Sequence, residues 1–493
     1  MKTNFHDIIN NLSTKYSNKD FLISEDGSFN VKYRELNVFC QKFYSFISSI
    51  NKNKTKKVFV CCENSIELSL IFISCLYSGL TFIPLNPFSS EDEINYVLKK
   101  TNPDIILASD TLKEKFKNLN CYFFNKKNFY KLVLEIKKKE KKINKKNIAA
   151  EILFTSGSTG EPKGVVLSQS SLINNCSQII KSIKIEKKSN FLAICPLYHN
   201  SGQAIPTLVA LLTGGSSVPV NPFTSLSIFW DLVELHKINY LTAMPTLIST
   251  LLLQKRKYKN KYLKKIFCGG AKLNNYQKER FEKRYKTKVF NNYGLTETAS
   301  ILTTENSRNI KKDSVGKPLN GVKIKVLKPD NKGYGEVLAK TKSIFYEYLN
   351  NKNLTKNKFL NGWFRTGDVG KLDSQNYLFL KGRKDDMIIV SGENIYPSEI
   401  ENSIRNIKGV ADALVFSTKD KITQNKILLI YTGKKINQKI LLKKMMKNIS
   451  KFKIPKLISH ISNFGMKDFI KSPSGKILKY KNLKIINKYL NAK

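Results

Sequence analysis

The sequence predicts an α/β protein with a large N-terminal domain and a small C-terminal α+β domain. Helical segments alternate with short β-branched strands through most of the chain, which favours an α/β architecture over a helix bundle or a sandwich. The chain has 493 residues, more than one ordinary domain contains. The strands that carry the alternation are predicted at residues 56–61, 103–109, 190–195, 264–269 and 287–294.

The pattern of elements changes twice toward the C-terminus. Residues 315–380 are rich in short strands and turn residues, which predicts a small β-barrel-like section. After Gly382 a strand, a helix, two more strands and a final helical section predict a compact α+β unit. We therefore place the boundary at 381–385, between a large multi-subdomain α/β domain at 1–381 and a small mobile domain at 382–493.

Composition excludes several classes of protein. The formal net charge of +47 suggests nucleic-acid binding, but only eight of the 85 basic residues are Arg, the side chain suited to bidentate base recognition. A general enrichment of lysine on solvated surfaces explains this charge, so we expect no nucleic-acid partner. The eight cysteines contain no C-x-x-C pair, which predicts buried reduced thiols, no zinc site and a cytoplasmic location. The most apolar stretch, residues 68–84, predicts a buried helix and strand rather than a membrane span.

A glycine-rich loop is the strongest local signal. Residues 152–164, ILFTSGSTGEPKG, run from an apolar strand into a turn with hydroxyl side chains, three glycines and a lysine. Backbone N–H groups of such a turn can surround phosphate oxygens, and the lysine adds a positive charge. It is not a Walker loop, because Gly-Lys-Ser/Thr is missing at the required spacing. The candidate phosphate-binding residues are Thr155, Ser156, Gly157, Ser158, Thr159, Gly160 and Lys163.

A second motif, residues 291–298 with the sequence NNYGLTET, offers three groups suited to a nucleotide. Tyr293 presents a flat aromatic face for adenine. Thr296 offers a hydroxyl donor for a phosphate oxygen, and Glu297 offers the hard oxygen ligand that Mg²⁺ would need. Thr296 and Glu297 are therefore candidate catalytic residues, and Glu297 is also the candidate metal ligand.

These two strings closely resemble the phosphate-loop and aromatic-Gly-x-Thr-Glu motifs of the adenylate-forming superfamily. This superfamily includes acyl- and aryl-CoA synthetases, peptide-synthetase adenylation domains and firefly luciferase. Further motifs of the family follow in order along nearly the whole chain. The resemblance implies that the glycine turn CGGA and the neighbours of Tyr293 line the nucleotide and acyl pockets. The residues assigned in this way are Gly269, Gly270, Ala271, Asn292 and Gly294.

Two more motifs concern the ribose and the acid. Residues 363–368, WFRTGD, resemble the family's Thr-Gly-Asp motif, which implies that Asp368 accepts hydrogen bonds from both ribose hydroxyls. Residues 196–202, PLYHNSG, resemble the mouth of the acyl site in CoA ligases, which implies an active-site role for His199. This segment contains no aspartate that would hold an amino group, which argues against an amino-acid substrate.

The longest match covers residues 382–401. By resemblance, Arg383 reaches the ribose or a phosphate, Asp385 is the hinge between the domains, and Gly392 lines the thiol channel after the small domain has rotated. One departure is Asn394, which stands where many relatives carry an arginine that contacts phosphate.

Residues 472–477, SPSGKI, resemble the family's terminal motif with the catalytic lysine, here Lys476. When a carboxylate attacks the α-phosphorus, negative charge builds on the transferring phosphoryl group, and a mobile ammonium can neutralise it. By composition alone Lys476 is one lysine among 77. Its place in a Pro-x-Gly-Lys turn is what makes it the catalytic candidate.

The sequence thus predicts a ligase that uses ATP and Mg²⁺ to convert a carboxylic acid to an acyl-adenylate, then to a thioester with coenzyme A as co-substrate. Four alternatives stay open at this point: loading of an acyl carrier protein, luciferase-type oxygenation, a binding protein without catalysis, and nucleic-acid binding. The third would be expected to lack Lys476, Glu297 or Asp368, and all three are present. We expect a monomer or a homodimer without a membrane span, and the identity of the acid is left open.

Overall fold

The computed structural model describes most of the chain. The described residues are 4–51, 56–137, 149–155, 162–222, 224–255, 258–271, 273–307, 310–390, 393–420, 424–446, 449–450, 453–472 and 477–491.

The described strands are, in chain order, β1 (Asp20–Ile23), β2 (Asn30–Lys32), β3 (Lys57–Cys61), β4 (Thr81–Leu85), β5 (Ile105–Ser109), β6 (Tyr122–Phe124), β7 (Ala149–Thr155), β8 (Lys163–Ser168), β9 (Asn190–Ala193), β10 (Ser216–Pro219), β11 (Tyr240–Ala243), β12 (Lys265–Cys268), β13 (Lys288–Tyr293), β14 (Thr303–Thr304), β15 (Lys317–Pro318), β16 (Lys323–Leu327), β17 (Gly335–Lys340), β18 (Glu347–Tyr348), β19 (Phe359–Leu360), β20 (Trp363–Leu372), β21 (Leu378–Arg383), β22 (Ile388–Val390), β23 (Glu393–Ile395), β24 (Val410–Asp420), β25 (Gln424–Gly433) and β26 (Leu457–His460).

The described α-helices are α1 (Phe5–Lys15), α2 (Tyr33–Ile50), α3 (Ile66–Ser78), α4 (Glu91–Thr101), α5 (Lys113–Phe116), α6 (Lys126–Glu135), α7 (Gln169–Ile183), α8 (Asn200–Gln203), α9 (Ala210–Leu212), α10 (Phe229–Leu235), α11 (Pro245–Leu253), α12 (Asn275–Tyr285), α13 (Lys352–Asn357), α14 (Pro397–Arg405), α15 (Gln438–Met446) and α16 (Lys479–Asn491). A π-helical segment, Ala204–Val209, joins α8 to α9, and 3₁₀ turns lie at Asp110–Leu112, Thr296–Thr298 and Ile461–Phe464.

Two mostly parallel sheets form the large N-terminal part. In the described residues the first has the order β18–β8–β7–β4–β3–β5–β6, parallel from β7 to β6, with β8 antiparallel to β7. The second has the order β15–β14–β13–β12–β11–β9–β10–β1–β2, parallel from β13 to β1. Each of the five predicted strands lies in one of these sheets, so the predicted α/β class is confirmed.

The apolar stretch at residues 68–84 shows how local signals build the core. Ser65 caps α3 by accepting a hydrogen bond from the Leu68 N–H, and Gly79 ends the helix at φ 67°, a left-handed conformation that costs glycine little. Every residue of α3 is buried, and the chain then enters β4 inside the first sheet. Since a helix that is buried on all sides needs no polar face, its apolar residues are spread around the whole helix. No described helix is both long and apolar enough to cross a bilayer.

The β-rich section and the C-terminal part follow. Strands β16, β17, β20 and β19 form an antiparallel curved sheet, with β21 paired to β20, as predicted for residues 315–380. Beyond β21 lie the hairpin β22–β23 and the sheet β24–β25–β26. Two hydrophobic clusters of described residues are built entirely from positions after 387. The eight cysteines are free thiols, and all except the partly exposed Cys121 are buried.

Candidate nucleotide and acyl site

The glycine-rich loop connects two paired strands. β7 and β8 are antiparallel, with Thr155 opposite Lys163 at the end of the ladder, and the Thr155 hydroxyl lies 3.5 Å from the Lys163 carbonyl oxygen. The Tyr96 hydroxyl donates a hydrogen bond of 2.9 Å to the Pro162 carbonyl, which anchors the outgoing end of the loop. Thr155 and Lys163 thus mark the two ends of the loop. The other candidates in it, Ser156, Gly157, Ser158, Thr159 and Gly160, lie outside the described residues.

Three predicted nucleotide residues meet at one buried carboxylate. The Tyr293 hydroxyl donates to Asp368 Oδ2 at 2.6 Å, and Arg383 Nη1 donates to Asp368 Oδ1 at 3.1 Å and to the Thr366 carbonyl at 3.0 Å. Asp368 and Arg383 are direct partners in the β20–β21 ladder, whereas Tyr293 comes from the end of β13 in the second sheet. The cluster therefore joins the second sheet to the β-rich section.

Burial controls the electrostatics of this cluster. Burial raises the pKa of Asp368 above its usual value, although the Arg383 guanidinium and the Tyr293 hydroxyl both lower it. The pKa of Tyr293 is raised well above that of an ordinary tyrosine, first by burial and then by the Asp368 charge beside it. Tyr293 is consequently a hydrogen-bond donor at neutral pH, and the residue as a whole is only 8% exposed.

The Thr-Glu part of the second motif forms a 3₁₀ turn directly after β13. The Tyr348 hydroxyl donates a hydrogen bond of 2.7 Å to Glu297 Oε1, and the Phe345 N–H donates one of 2.8 Å to the Glu297 carbonyl. A side chain at Gly294 would overlap the Ser300 carbonyl oxygen, so the tight return of the chain at this point requires glycine. Thr296 and Glu297 are both partly exposed.

A buried ion pair stabilises the position of β13. Lys278 Nζ lies 2.5 Å from Glu305 Oε2, and the same oxygen accepts a hydrogen bond of 2.7 Å from the Asn291 N–H. The Asn292 side chain accepts a hydrogen bond of 2.6 Å from Thr304. These contacts hold the strand that delivers Tyr293 to the site.

The glycine turn after β12 lies next to this strand. A Cβ on Gly269 would stand 3.5 Å from the Asn292 carbonyl oxygen, so the turn packs against the backbone of the motif. Gly270 has φ 79°, and a side chain there would meet Met244. The structure therefore places Gly269, the first residue of this turn, beside Asn292; the nucleotide-binding roles of Gly269, Gly270 and Ala271 stay predictions.

The predicted acyl-site segment is fixed by Asn64. Its side-chain amide donates a hydrogen bond of 3.0 Å to the Cys195 carbonyl, and its Oδ1 accepts a hydrogen bond of 2.8 Å from the Leu197 N–H. Two residues later, the partly buried His199 is the N-cap residue directly before α8, and its ring lies 4.9 Å from that of Tyr198. The next residue, Asn200, reaches the Leu295 carbonyl at 3.5 Å, so this segment lies against the turn that carries Glu297.

The predicted hinge is surrounded by ion pairs. Lys384 lies 3.3 Å from Glu336, which also accepts two hydrogen bonds from Arg365, at 2.7 and 3.1 Å. On the other side of Asp385, Asp386 lies 3.0 Å from Lys479 at the start of α16. Lys476 and Gly392, the predicted catalytic lysine and thiol-channel residue, lie outside the described residues.

Comparison with known proteins decides the family. Residues 11–349, more than half of the chain, match the model of the AMP-binding enzymes. The chain belongs to this family. Similar curated proteins are the 2-succinylbenzoate–CoA ligase of Staphylococcus epidermidis, 28% identical over 89% of this chain and 91% of the relative, and that of Staphylococcus aureus, 30% identical over 62% of each.

Solved structures of the same fold match nearly the whole length of this AMP-binding enzyme. The acyl-adenylate complex of o-succinylbenzoate CoA synthetase from Bacillus subtilis has a TM-score of 0.86 and 23% identity, over 97% of this chain and 98% of that one. ATP-bound MatB from Rhodopseudomonas palustris has a TM-score of 0.88 and 22% identity, over 99% and 100%. The predicted fold, the predicted family and the prediction of an AMP-binding ligase are confirmed. The roles of individual site residues stay predictions.

Sequence reasoning missed three residues of this AMP-binding enzyme that the structure brings to the motifs. They are Asn64 behind the His199 segment, Tyr348 on Glu297, and Lys358 beside the Thr-Gly-Asp turn. None of them stands in a recognisable motif. Lys358 in particular is one of 77 lysines, and the sequence offers no signal that separates it from the others.

Proposed function

We propose that this protein activates a carboxylic acid with ATP to an acyl-adenylate and then transfers the acyl group to coenzyme A. The observation that carries the proposal is the buried Asp368 carboxylate, to which Tyr293 and Arg383 converge from two different sheets. This arrangement suits recognition of a nucleoside. The curated relatives named above are CoA ligases, which favours coenzyme A over a carrier protein as the acceptor.

The nucleoside half of the site fits the described side chains. A carboxylate has about four lone-pair positions, so Asp368 can accept from both ribose hydroxyls while keeping the bonds from Tyr293 and Arg383. In the proposal, adenine lies against Tyr293, within a pocket lined by Asn292 and Gly294 and by the turn Gly269–Ala271. The phosphate groups extend toward the loop between Thr155 and Lys163.

Glu297 fits the proposed magnesium ion. The described residues contain no group of three His, Cys, Asp or Glu side chains that could hold a metal ion alone. Mg²⁺ commonly takes one or two carboxylates together with substrate phosphates and waters, so a single carboxylate beside the phosphates is sufficient. Tyr348 holds Glu297 by one oxygen and leaves the other for a ligand. When bound, the ion would neutralise charge on the phosphates.

The chemistry of the first step needs positioning and charge rather than a protein nucleophile. A carboxylate oxygen of the acid attacks the α-phosphorus, the bond to the bridging oxygen breaks, and pyrophosphate leaves. Thr296 would donate a hydrogen bond to the α-phosphate and Lys476 would neutralise the developing charge, while His199 lies at the acid. The ion pair between Lys479 and Asp386 supports the role of Lys476, because it brings the start of α16, three residues after Lys476, to the hinge.

The second step is thioester formation. In the proposal the small domain rotates about Asp385, moves Lys476 away and brings the backbone around Gly392 to guide the thiol. The thiol sulfur then attacks the acyl carbon, AMP leaves with the former carboxylate oxygen, and the thiol proton is released.

Separate assays of the two half-reactions test this assignment. We expect Lys476→Ala to lower acid-dependent ATP–pyrophosphate exchange by about a hundredfold or more, since it removes charge stabilisation of the transition state. Conversion of a supplied acyl-adenylate to thioester should continue. Lys484→Ala, on the exposed side of α16, is the matched control and should keep both activities. Near wild-type exchange in Lys476→Ala would refute the assignment.

The acid is identified by a panel of carboxylic acids, assayed for pyrophosphate release with and without coenzyme A. The names of the curated relatives make 2-succinylbenzoate the first acid to include. Formation of an acyl-CoA product supports the proposal. Release that needs no coenzyme A, with no acyl-CoA product, would favour loading of a carrier protein. The cytoplasmic location and the monomeric or homodimeric state stay predictions.

A further inference from the structure

Lys358 lies directly before β19, where the chain turns toward the Thr-Gly-Asp motif. Its carbonyl oxygen accepts a hydrogen bond of 2.7 Å from the Arg365 N–H, so its backbone is tied to the strand that continues into Asp368. The side chain is partly buried. The position of Lys358 is therefore set by the same hairpin that delivers the proposed ribose-binding aspartate.

The Lys358 ammonium and the Arg383 guanidinium converge on one glycine. Lys358 Nζ lies 3.7 Å, and Arg383 Nη2 3.0 Å, from the place where a Cβ on Gly367 would stand. The bonds of Arg383 to Asp368 and Thr366 use its other nitrogen, Nη1. Within the described part of the chain, neither Lys358 Nζ nor Arg383 Nη2 has a hydrogen-bond or ion-pair partner. Two cationic nitrogens with free N–H groups thus face the same side of the nucleotide motif.

The charges around Lys358 belong to the proposed catalytic site. Burial lowers the pKa of Lys358, and the positive charges of Arg383 and Lys163 lower it further, while the carboxylates of Glu297 and Asp385 oppose this. Lys358 is therefore within electrostatic range of the phosphate loop, the proposed metal ligand and the hinge at once. A half-buried ammonium that faces other cations is unfavourable unless an anion joins the group.

We infer that Lys358 binds the phosphate groups of ATP and the departing pyrophosphate, as a phosphate-binding cation in addition to Lys163. The inference rests on the proposed function and names a further residue for its first step. An ammonium has three N–H donors and no acceptor, which suits phosphate oxygens. A polyphosphate would supply the negative charge that Lys358, Arg383 and Lys163 together lack. The cations would then hold the leaving group while the α-phosphorus is attacked.

Direct binding measurements separate this role from a structural one. The variant is Lys358→Met, with Lys358→Arg as the conservative change and the exposed Lys356→Met, two residues away on α13, as the matched control. Calorimetric titrations without any acid give the Kd of ATP, of pyrophosphate and of AMP. Loss of a charge-assisted hydrogen bond predicts that Lys358→Met binds ATP and pyrophosphate about ten- to a hundredfold more weakly. AMP, which lacks the β- and γ-phosphates, should bind as in the wild type, and Lys358→Arg should recover most of the affinity.

Kinetic assays complete the test. In Lys358→Met, the KM for ATP in pyrophosphate exchange should rise, whereas thioester formation from a supplied acyl-adenylate should be unchanged. Three results would overturn the inference: ATP binding equal to that of Lys356→Met, an equal loss for AMP and ATP, or a defect confined to thioester formation, which would make Lys358 a partner of the hinge. If Lys358→Met does not fold, Lys358→Gln takes its place. Wild-type protein that binds ATP but activates no acid would refute the proposed function, and the Kd comparison would still decide whether Lys358 binds the phosphates of ATP.

Discussion

Glu151 offers a test of how burial controls the stability of this fold. It lies on β7, four residues before the start of the glycine-rich loop, and is completely buried. Among the described residues neither of its carboxyl oxygens has a hydrogen-bond partner. Burial raises its pKa to about 8, and the neighbouring Gln203 amide lowers it by a smaller amount. The carboxyl group is therefore mostly neutral at pH 7, and Glu151→Gln replaces it with a neutral group of the same shape.

The sign and size of the effect follow from proton linkage. In the unfolded chain Glu151 titrates at its ordinary pKa of 4.5, whereas in the folded protein it titrates at about 8. Between these values the folded state holds a proton that the unfolded state has released, so the free energy of unfolding falls as pH rises. The slope is about 1.4 kcal/mol per pH unit, and the loss is complete above the folded pKa. The total reaches about 4 to 5 kcal/mol as an upper value, since any water that enters the site reduces it.

The measurement is urea-induced unfolding at pH 5, 6, 7 and 8. Glu151→Gln should resemble the wild type at pH 5 and exceed its free energy of unfolding by a growing amount toward pH 8. Glu114→Gln, whose carboxylate is 90% exposed in the wild type, is the control and should follow the wild-type pH dependence. A constant difference between Glu151→Gln and the wild type from pH 5 to 8 would show that Glu151 is already ionised in the folded protein.

Two other predictions concern the strand that carries the nucleotide motif. Tyr293→Phe removes a donor that lowers the pKa of Asp368. In the proposed function the ionised Asp368 carboxylate binds the ribose, so on lowering the pH the binding of ATP should weaken at a higher pH than in the wild type, as ATP titrations from pH 5 to 8 would reveal. If ATP binding weakened at the same acidic pH in Tyr293→Phe and in the wild type, this prediction would be contradicted. Glu305→Ala leaves Lys278, 9% exposed, without its partner and should lower the free energy of unfolding by about 3 to 5 kcal/mol. Lys278→Met combined with Glu305→Leu should recover the part of that loss that the unpaired charge causes, although the Asn291 N–H still lacks its acceptor. A double variant no better than Glu305→Ala would argue against the unpaired charge as the cause.

The fold class was predictable because its signals are local. The alternation of β-branched strands and helices appears in short windows, and each of the five predicted strands was found within a residue or two of its expected bounds. The apolar run at 68–84 became a capped buried helix and a central strand for the same reason. The order of strands within the two sheets could not be predicted in this way, because it depends on pairing between distant segments. The direct pairing of β1 with β10 is an example.

The site was predictable to the extent that its residues stand in contiguous motifs. Asp368 and Arg383 were found as partners in one ladder, and Gly269 was found against Asn292. The Tyr348 contact with Glu297 joins residues 51 positions apart, and no motif contains Tyr348. Lys358 also stands in no recognisable motif, since its proximity to Arg383 arises only when β19, β20 and β21 pair in one sheet.

The sequence by itself determined the chemistry of this protein, because short strings with fixed glycines, hydroxyls, carboxylates and lysines specify turns that suit a nucleotide. They were sufficient to predict the family, the reaction and most of the candidate residues. Only the tertiary structure decided which groups share a partner and which are shielded from water. It alone showed that both oxygens of Asp368 already accept hydrogen bonds, that Glu151 is buried with no hydrogen-bond partner among the described residues, and that Lys358 lies beside the nucleotide motif. These properties depend on dielectric environment and on contacts across sheets, and neither is written in any local stretch of residues.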